Sequence, residues 1–482
     1  MRSTDTCRTR ARRNAIAATA ARASAFALAL TLALALPGAA TAAPPDAGAT
    51  RTNTTGSGAG HEELLAAMAA EAGTARGGDG IPGIIARVHR DGVDWTGTAR
   101  SDAGAPDRDP DRPYRAGSIT KLFVATTVLQ LVAEGRLKLS DDVFGLLGPV
   151  LKANATQGCN PYTWTCFDPP GPGKAPITVR DLLTHSSGVF NYLRDTSFLA
   201  EAGPAFPALP DYTPQRLVDE GANHGPQFAP GRGMEYSNTN YILLGMVVEK
   251  VTGQPWAEEI GRRIIRPLGL SRTVLPGSDP VLPGPHDAFF TNYLQPRGAL
   301  GHLSRPAADW NPSIGGAAGA VVSTTGDLVT FIRALLGGTL LPPRQLTDMR
   351  ELLNANVVGT PGPGVPGISC DPQLAWPECV VNPRISTANT GDTAAAGHWY
   401  ADQPWKSIRA DVGLGLVRRT LTCADDREVR LYGHNGAAFG SFSYLYATED
   451  GSHALALNYN GDWPKWELYS LNGLLAAEFC TT

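Results

Sequence analysis

Apolar positions along the chain fall into stretches of different rhythm, and the rhythm predicts the elements. At the front, Leu64, Leu65 and Met68 lie on one face of a helix expected over 61–72. Ile81 to Arg90 and Val93 to Thr98 read as a strand pair closed by Asp91-Gly92. From Ser118 to Leu137 the apolar spacing becomes helical through Leu122, Val124, Val128, Leu129 and Leu131, with Gly135 as its end signal. The middle, about 177–355, is mainly helical: 178–185, 214–221, 239–252, 255–265 and 324–336, with a Pro-rich connection through 275–312. Segments 154–176 and 356–405 are loop-like. The rhythm then changes to strands over Val412–Thr420, Glu428–His434, Phe439–Ala447 and His453–Tyr459, before a last helix over Trp466–Phe479.

Strands at both chain ends with helices between them predict an α/β fold in which front and back strands share one antiparallel sheet. The sheet region takes 61–115 and 406–482, flanked by helices from both chain ends. A mainly helical lobe takes 116–405, and a cleft lies between the two. Residues 61–482 are expected to form a single catalytic domain behind a disordered linker over 43–60, rich in Ala, Pro, Gly, Thr and Ser.

The first 42 residues add a location. Arg8, Arg10, Arg12 and Arg13 precede an apolar run from Ala23 to Leu36, broken by Pro37-Gly38 and followed by Ala40-Thr41-Ala42. That is the order of a cleaved signal peptide, and the run falls short of the roughly 20 residues a spanning helix needs. Export by the general or the twin-arginine route, and an extracellular mature protein, are the expectation; Arg12-Arg13 permits the second route. The remainder carries 35 basic against 44 acidic groups once the leader's six arginines and one aspartate are removed. An acidic chain without a basic stripe gives no reason to expect nucleic acid. Cys7 leaves with the leader, and six cysteines remain. Cys159/Cys166 and Cys370/Cys379 each share a loop, which makes short bridges natural and leaves Cys423 with Cys480. No CxxC or His-rich spacing points to a metal.

Three local signals carry chemistry. In Gly117-Ser118-Ile119-Thr120-Lys121, Ser118 and Lys121 are three apart at a helix start and so share a face. A lysine desolvated there can lose its proton near neutrality and take one from the serine. In Tyr236-Ser237-Asn238 a phenol beside an ammonium can shuttle a proton, and the Asn238 amide can hold Lys121. In His434-Asn435-Gly436, Gly436 lets a substrate backbone approach. The amide of Ala437 would pair with that of Ser118 around an oxyanion, and His434 can donate across the cleft to the phenol. Each signal alone also fits a plain helix start, N-cap or strand-end histidine. The argument rests on the three together.

Ser-x-x-Lys, Tyr-x-Asn and a strand-borne His-x-Gly resemble the penicillin-binding, β-lactamase-related serine hydrolases, most of all their soluble D-alanyl-D-alanine carboxypeptidases. Ile177–Arg180, Thr184–Gly188, Tyr236–Tyr241, Ala317–Val321, Tyr432-Gly433-His434 and the Cys423/Cys480 pair extend the likeness over 61–482, apart from insertions near 155–175, 280–312 and 355–405. The resemblance implies that Ser118 is acylated, Lys121 and Tyr236 move protons, Asn238 positions, and His434 supports Tyr236. Trp310 resembles a cleft-wall tryptophan, and His185 reads as structural. Where those carboxypeptidases hold a substrate carboxylate with an arginine and two hydroxyl residues, this chain has Val417, Asn435 and Ala437. Arg418 and Arg419 follow, and strand alternation lets only one of them face the cleft.

The resulting expectation is a secreted serine hydrolase forming an acyl-enzyme on Ser118, a D-alanyl-D-alanine carboxypeptidase or related D-amino-acid peptidase acting on cell-wall peptides. An esterase, amidase or D-aminopeptidase is the alternative, ahead of a β-lactamase or a penicillin sensor. Its partners are small peptide, ester or β-lactam substrates; neither cofactor nor metal is implied, and the mature form has no membrane span.

Overall fold

The computed structural model describes residues 51–55, 61, 64–68, 83–100, 109–151, 176–195, 197–199, 211–224, 226–282, 289–291, 304–306, 311–351, 405–438, 440–459 and 467–480. The leader over 1–42, Cys159, Cys166, Cys370, Cys379 and Trp310 lie outside them. No helix among the described residues is long and apolar enough to cross a membrane.

Among the described residues, four short strands make two separate pairs, β4 (Tyr114–Arg115) with β7 (Val322–Ser323) and β5 (Phe289–Thr291) with β6 (Ser304–Pro306), and eight form one antiparallel sheet: β1 (Arg51–Thr55), β2 (Gly83–Arg90), β3 (Val93–Arg100), β8 (Trp405–Val412), β9 (Val417–Cys423), β10 (Glu428–Ala438), β11 (Ser441–Ala447) and β12 (Ala454–Tyr459). Their order is β1-β3-β2-β12-β11-β10-β9-β8, so β2 from the front lies beside β12 from the back. The expected sharing of one sheet by both chain ends is what forms. Asp91 and Gly92 turn β2 into β3 with φ of 53° and 79°, the left-handed pair a tight hairpin requires.

Side-chain alternation sends the two faces of the sheet to different cores. On β12, Ala454 and Ala456 meet the helical lobe, while Leu455, Leu457 and Tyr459 meet Leu64, Met68, Leu474 and Phe479 from the two chain ends. The lobe is built on helices α1 (Thr120–Ala133) and α2 (Asn238–Thr252), both buried along most of their length. Its remaining helices include Val179–Leu183, Pro214–Ala222 and Thr325–Leu336, at the positions that the helical spacing predicts.

Two expectations need correction. The linker over 43–60 contains β1, whose threonines pair with β3 in register Arg51↔Arg100 to Thr55↔Thr96. β-branched residues suit a pleated edge even in a polar segment. The strand expected over Val412–Thr420 is instead a hairpin: β8 ends at Val412, the chain turns through 413–416, and β9 starts at Val417. Leu414 and Leu416 kept the apolar run continuous because the turn itself is buried against the lobe. Gly415 has φ 78°, and a Cβ there would meet the Ala125 Cβ at 2.4 Å. Cys423 and Cys480 are joined with Cα atoms 5.4 Å apart, tying β9 to the C-terminal helix Glu467–Phe479.

Candidate active site

Ser118 sits in a 3₁₀ turn, Gly117–Ile119, that leads into α1. The turn is docked on every side. Ala116 N–H donates to the Val321 carbonyl at 2.9 Å, Thr120 Oγ1 donates to the Gly117 carbonyl at 2.7 Å, and Ser441 Oγ donates to the Arg115 carbonyl at 3.0 Å. Backbone meets backbone where the turn touches β10. A Cβ on Gly436 would lie 1.8 Å from the Ala116 oxygen, and one on Gly117, whose φ is 55°, 2.6 Å from the Ala437 nitrogen. Only glycine at both positions allows that approach.

Lys121 follows one turn later and is fully buried. Its Nζ lies 2.9 Å from Ser118 Oγ, 2.7 Å from Asn238 Oδ1 and 2.8 Å from the Ala318 carbonyl oxygen. Burial holds its pKa well below the usual lysine range. Asn238 Oδ1 and Ala318 O can only accept, so they take two of its N–H groups; once the amine is deprotonated, the remaining position is a lone pair facing the Ser118 hydroxyl. An amine so placed can serve as a base for Ser118.

Asn238 starts α2, and its amide orientation is dictated by Asn191. Asn191 Oδ1 accepts the backbone N–H and the Nδ2–H of Asn238, each at 3.2 Å, which leaves Oδ1 of Asn238 facing Lys121. Neither Asn191 nor the Ala318 carbonyl was foreseeable as part of the site: a backbone oxygen has no residue signature, and Asn191 lies in no motif.

Tyr236 is half-buried, with the Lys121 Nζ 4.8 Å from its ring centroid. The His185 ring packs against it at 4.4 Å between centroids. His434, on the lobe-facing side of β10, is 6.3 Å from Tyr236 by ring centroids. Burial, with the nearby Lys121, pushes the His434 pKa down to about 3, so the ring is neutral at working pH. Its Nδ1 meets the Asn435 carbonyl oxygen, which can only accept, so the one ring proton points there. Nε2 then offers a lone pair, and the expected donation from His434 to the phenol is replaced by a ring that can accept.

The arginines after Val417 divide as alternation requires. Arg418 pairs across the ladder with Tyr432 on the lobe-facing side and holds Asp411 at 3.0 Å. Arg419 pairs with Leu431 on the other face, where its Nε donates to Tyr446 Oη at 2.8 Å. The β9–β10 ladder ends at Val417↔Gly433, whereas β10 continues beside β11 to Ala438. The edge of β10 over 434–438 therefore has no β9 partner. Among the described residues no group of three His, Cys, Asp or Glu is placed to hold a metal.

The family model described as Beta-lactamase matches residues 65–376. Penicillin-binding protein 4 of Amycolatopsis lactamdurans is 27% identical over 354 residues, covering 73% of each chain. Esterase EstB of Burkholderia gladioli is 33% identical over 182 residues, covering 36% of this chain and 41% of its own length. Among solved structures, a D-stereospecific amidohydrolase from Streptomyces sp. superposes with a TM-score of 0.63 at 33% identity, covering 88% of this chain and 99% of its own. The D-amino acid amidase of Ochrobactrum anthropi SV3, at 22% identity and a TM-score of 0.59 over 86% of this chain and 96% of its own, shares the fold.

Proposed function

The chain belongs to the beta-lactamase family of serine hydrolases, and from that premise we propose that it cleaves amide bonds of D-configured amino-acid and peptide substrates through an acyl-enzyme on Ser118. The observation that carries the chemistry is the desolvated Lys121 amine at 2.9 Å from Ser118 Oγ, with Asn238 and Ala318 occupying its protons.

In this reading Lys121 takes the Ser118 proton as Oγ attacks the carbonyl carbon. The tetrahedral oxyanion is held by the N–H groups of Ser118 and Ala437. Tyr236 passes a proton to the departing amine, and His434 supports the phenol by accepting at Nε2. Water then attacks the ester, and the same groups return the proton to Ser118 Oγ. The open edge of β10 beside Gly436 supports an extended substrate lying along it.

Substrate class rests on what surrounds Val417. In the carboxypeptidases that the motifs resemble an arginine stands there; here Arg418 is engaged by Asp411, and Arg419, on the same face as Val417, by Tyr446. The likeness to the D-stereospecific amidohydrolase over nearly its whole length supports a neutral amide rather than a free carboxylate. The carboxypeptidase reading keeps one observation in its favour: an Arg419 Nη lies 3.4 Å from Asn435 Oδ1, so positive charge stands behind the former clamp. The leader pattern and the Cys423–Cys480 pairing support export.

Two measurements test this. A fluorescent penicillin should label the purified protein covalently and leave Ser118→Ala unlabelled; label on that variant rejects Ser118. A D-amino-acid amide, its L-enantiomer and a peptide ending in free D-Ala-D-Ala, compared by kcat/KM, test the substrate. The D-amide should lead, and a clear lead for the free-carboxylate peptide would overturn the amidohydrolase reading in favour of a carboxypeptidase.

A further inference from the structure

The sequence marks His185 as a structural residue, yet it brackets Tyr236 more closely than any motif residue does. It follows the helix Val179–Leu183, is 1% exposed and has φ 58°, a left-handed conformation that a histidine keeps only when its surroundings enforce it. The enforcement is visible. Ser186 Oγ donates to Asp181 Oδ1 at 2.9 Å, Ser186 N–H donates to the Asp181 carbonyl at 2.8 Å, and Gly231 N–H donates to the Ser186 carbonyl at 2.9 Å.

That strained backbone places one residue on both sides of Tyr236. The His185 carbonyl accepts the Glu235 N–H at 3.0 Å, and its ring Nδ1 accepts the Ser237 N–H at 3.2 Å. The ring also covers Tyr236 at 4.4 Å. Asn240 completes the arrangement. Its Oδ1 accepts the Ser187 hydroxyl at 2.6 Å, so its Nδ2 faces His185 Nδ1 at 3.3 Å. Two N–H groups thus aim at Nδ1, which fixes the tautomer: Nδ1 bare, the proton on Nε2. Burial and the neighbouring Lys121 hold the ring neutral, which keeps that acceptor available.

We propose that His185 is the positioning residue for Tyr236: its backbone carbonyl holds residue 235, its ring Nδ1 holds residue 237 and the ring packs on the phenol, which together set where the Tyr236 hydroxyl stands relative to Ser118 and Lys121. The role rests on the proton-shuttling assignment of Tyr236 above. A tyrosine displaced by about 1 Å transfers protons poorly, at a cost of up to about 100-fold.

The test is a double-mutant cycle on acylation, read with a fluorescent penicillin or a chromogenic ester. Glycine and asparagine both tolerate a positive φ, so His185→Gly and His185→Asn retain the backbone turn. His185→Gly, which removes ring and acceptor, should slow acylation about 30-fold with KM changed less than about twofold. His185→Asn, which returns an acceptor to the Ser237 N–H, should recover most of that loss. In a Tyr236→Phe background either change should cost less than about twofold, because the group being positioned is gone. An equal cost in both backgrounds overturns the positioning role and leaves His185 a stability residue. Wild-type acylation by Tyr236→Phe alone would instead reject the shuttle itself, and the role of His185 with it.

Discussion

Two fully buried cations flank strand β10, and they are handled in opposite ways. Lys121, on the lobe side, is surrounded by a hydroxyl, an amide oxygen and a backbone carbonyl. Arg419, on the other face, is held by Tyr446 Oη and lies beneath the rings of Tyr444 and Tyr446, with centroids 5.9 and 5.3 Å away. Burial penalises both charges. The lysine can answer by giving up its proton, and its pKa falls well below the usual range. The guanidinium cannot, and although burial opposes its charge, the tyrosine oxygens tip its pKa upward. Burial, more than either neighbour, lowers the pKa of His434. The same cost of burial therefore yields a base on one face and a fixed charge on the other; the type of cation decides which.

That contrast is sharpest in substitution. Lys121→Met should lower acylation by at least about 1000-fold while the protein remains folded, since it removes the base outright. Arg419→Met should do the reverse, costing about 2 kcal/mol of stability from lost charged hydrogen bonds with acylation within about tenfold of wild type. Thermal melts and penicillin-labelling rates on the two variants decide it, and comparable activity losses from both would collapse the distinction.

Acid should expose the neutral groups around Lys121. His434 is held neutral down to about pH 3, and His185 is shifted the same way, whereas an unfolded histidine takes up its proton near pH 6.5. Between those values the unfolded chain binds more protons, so stability falls as pH drops. The slope is about 1.4 kcal/mol per pH unit for each such histidine. Melting temperatures from pH 7 to pH 4 should show the decline, and His434→Gln should flatten it by one histidine's share; an unchanged slope would show that His434 is not held neutral.

The smallest effect concerns Arg419, an Nη of which lies 3.4 Å from Asn435 Oδ1. Arg419→Gln should change the preference for a free-carboxylate peptide over its amide by less than about twofold, because the guanidinium is engaged on the face away from the lobe. A fall of about tenfold would show that it serves the substrate carboxylate and that the two faces are less separate than their hydrogen bonds imply.

Much of the fold was legible in the sequence because apolar periodicity is a local signal. It located the hairpin at Asp91-Gly92, the helix ending at Gly253 and the change to strands after 405. It misled where burial was not tied to an element. Leu414 and Leu416 are apolar because a turn is buried, and the polar segment 51–55 joins β3 through backbone pairing that leaves no mark in residue type.

The site divides in the same manner. Ser118, Lys121, Tyr236, Asn238 and His434 announced themselves because side-chain chemistry is written in residue types at short spacings. What those types become was decided only in three dimensions. Desolvation lowers the pKa of Lys121, the Ala318 carbonyl takes one of its protons, and Asn191 fixes which way the Asn238 amide points. Strand register sends Arg419 behind the sheet, and a strained turn 50 residues away places His185 on both sides of Tyr236. Sequence determines which groups are available; burial and direction, which depend on atoms distant along the chain, determine their protonation and whom they meet.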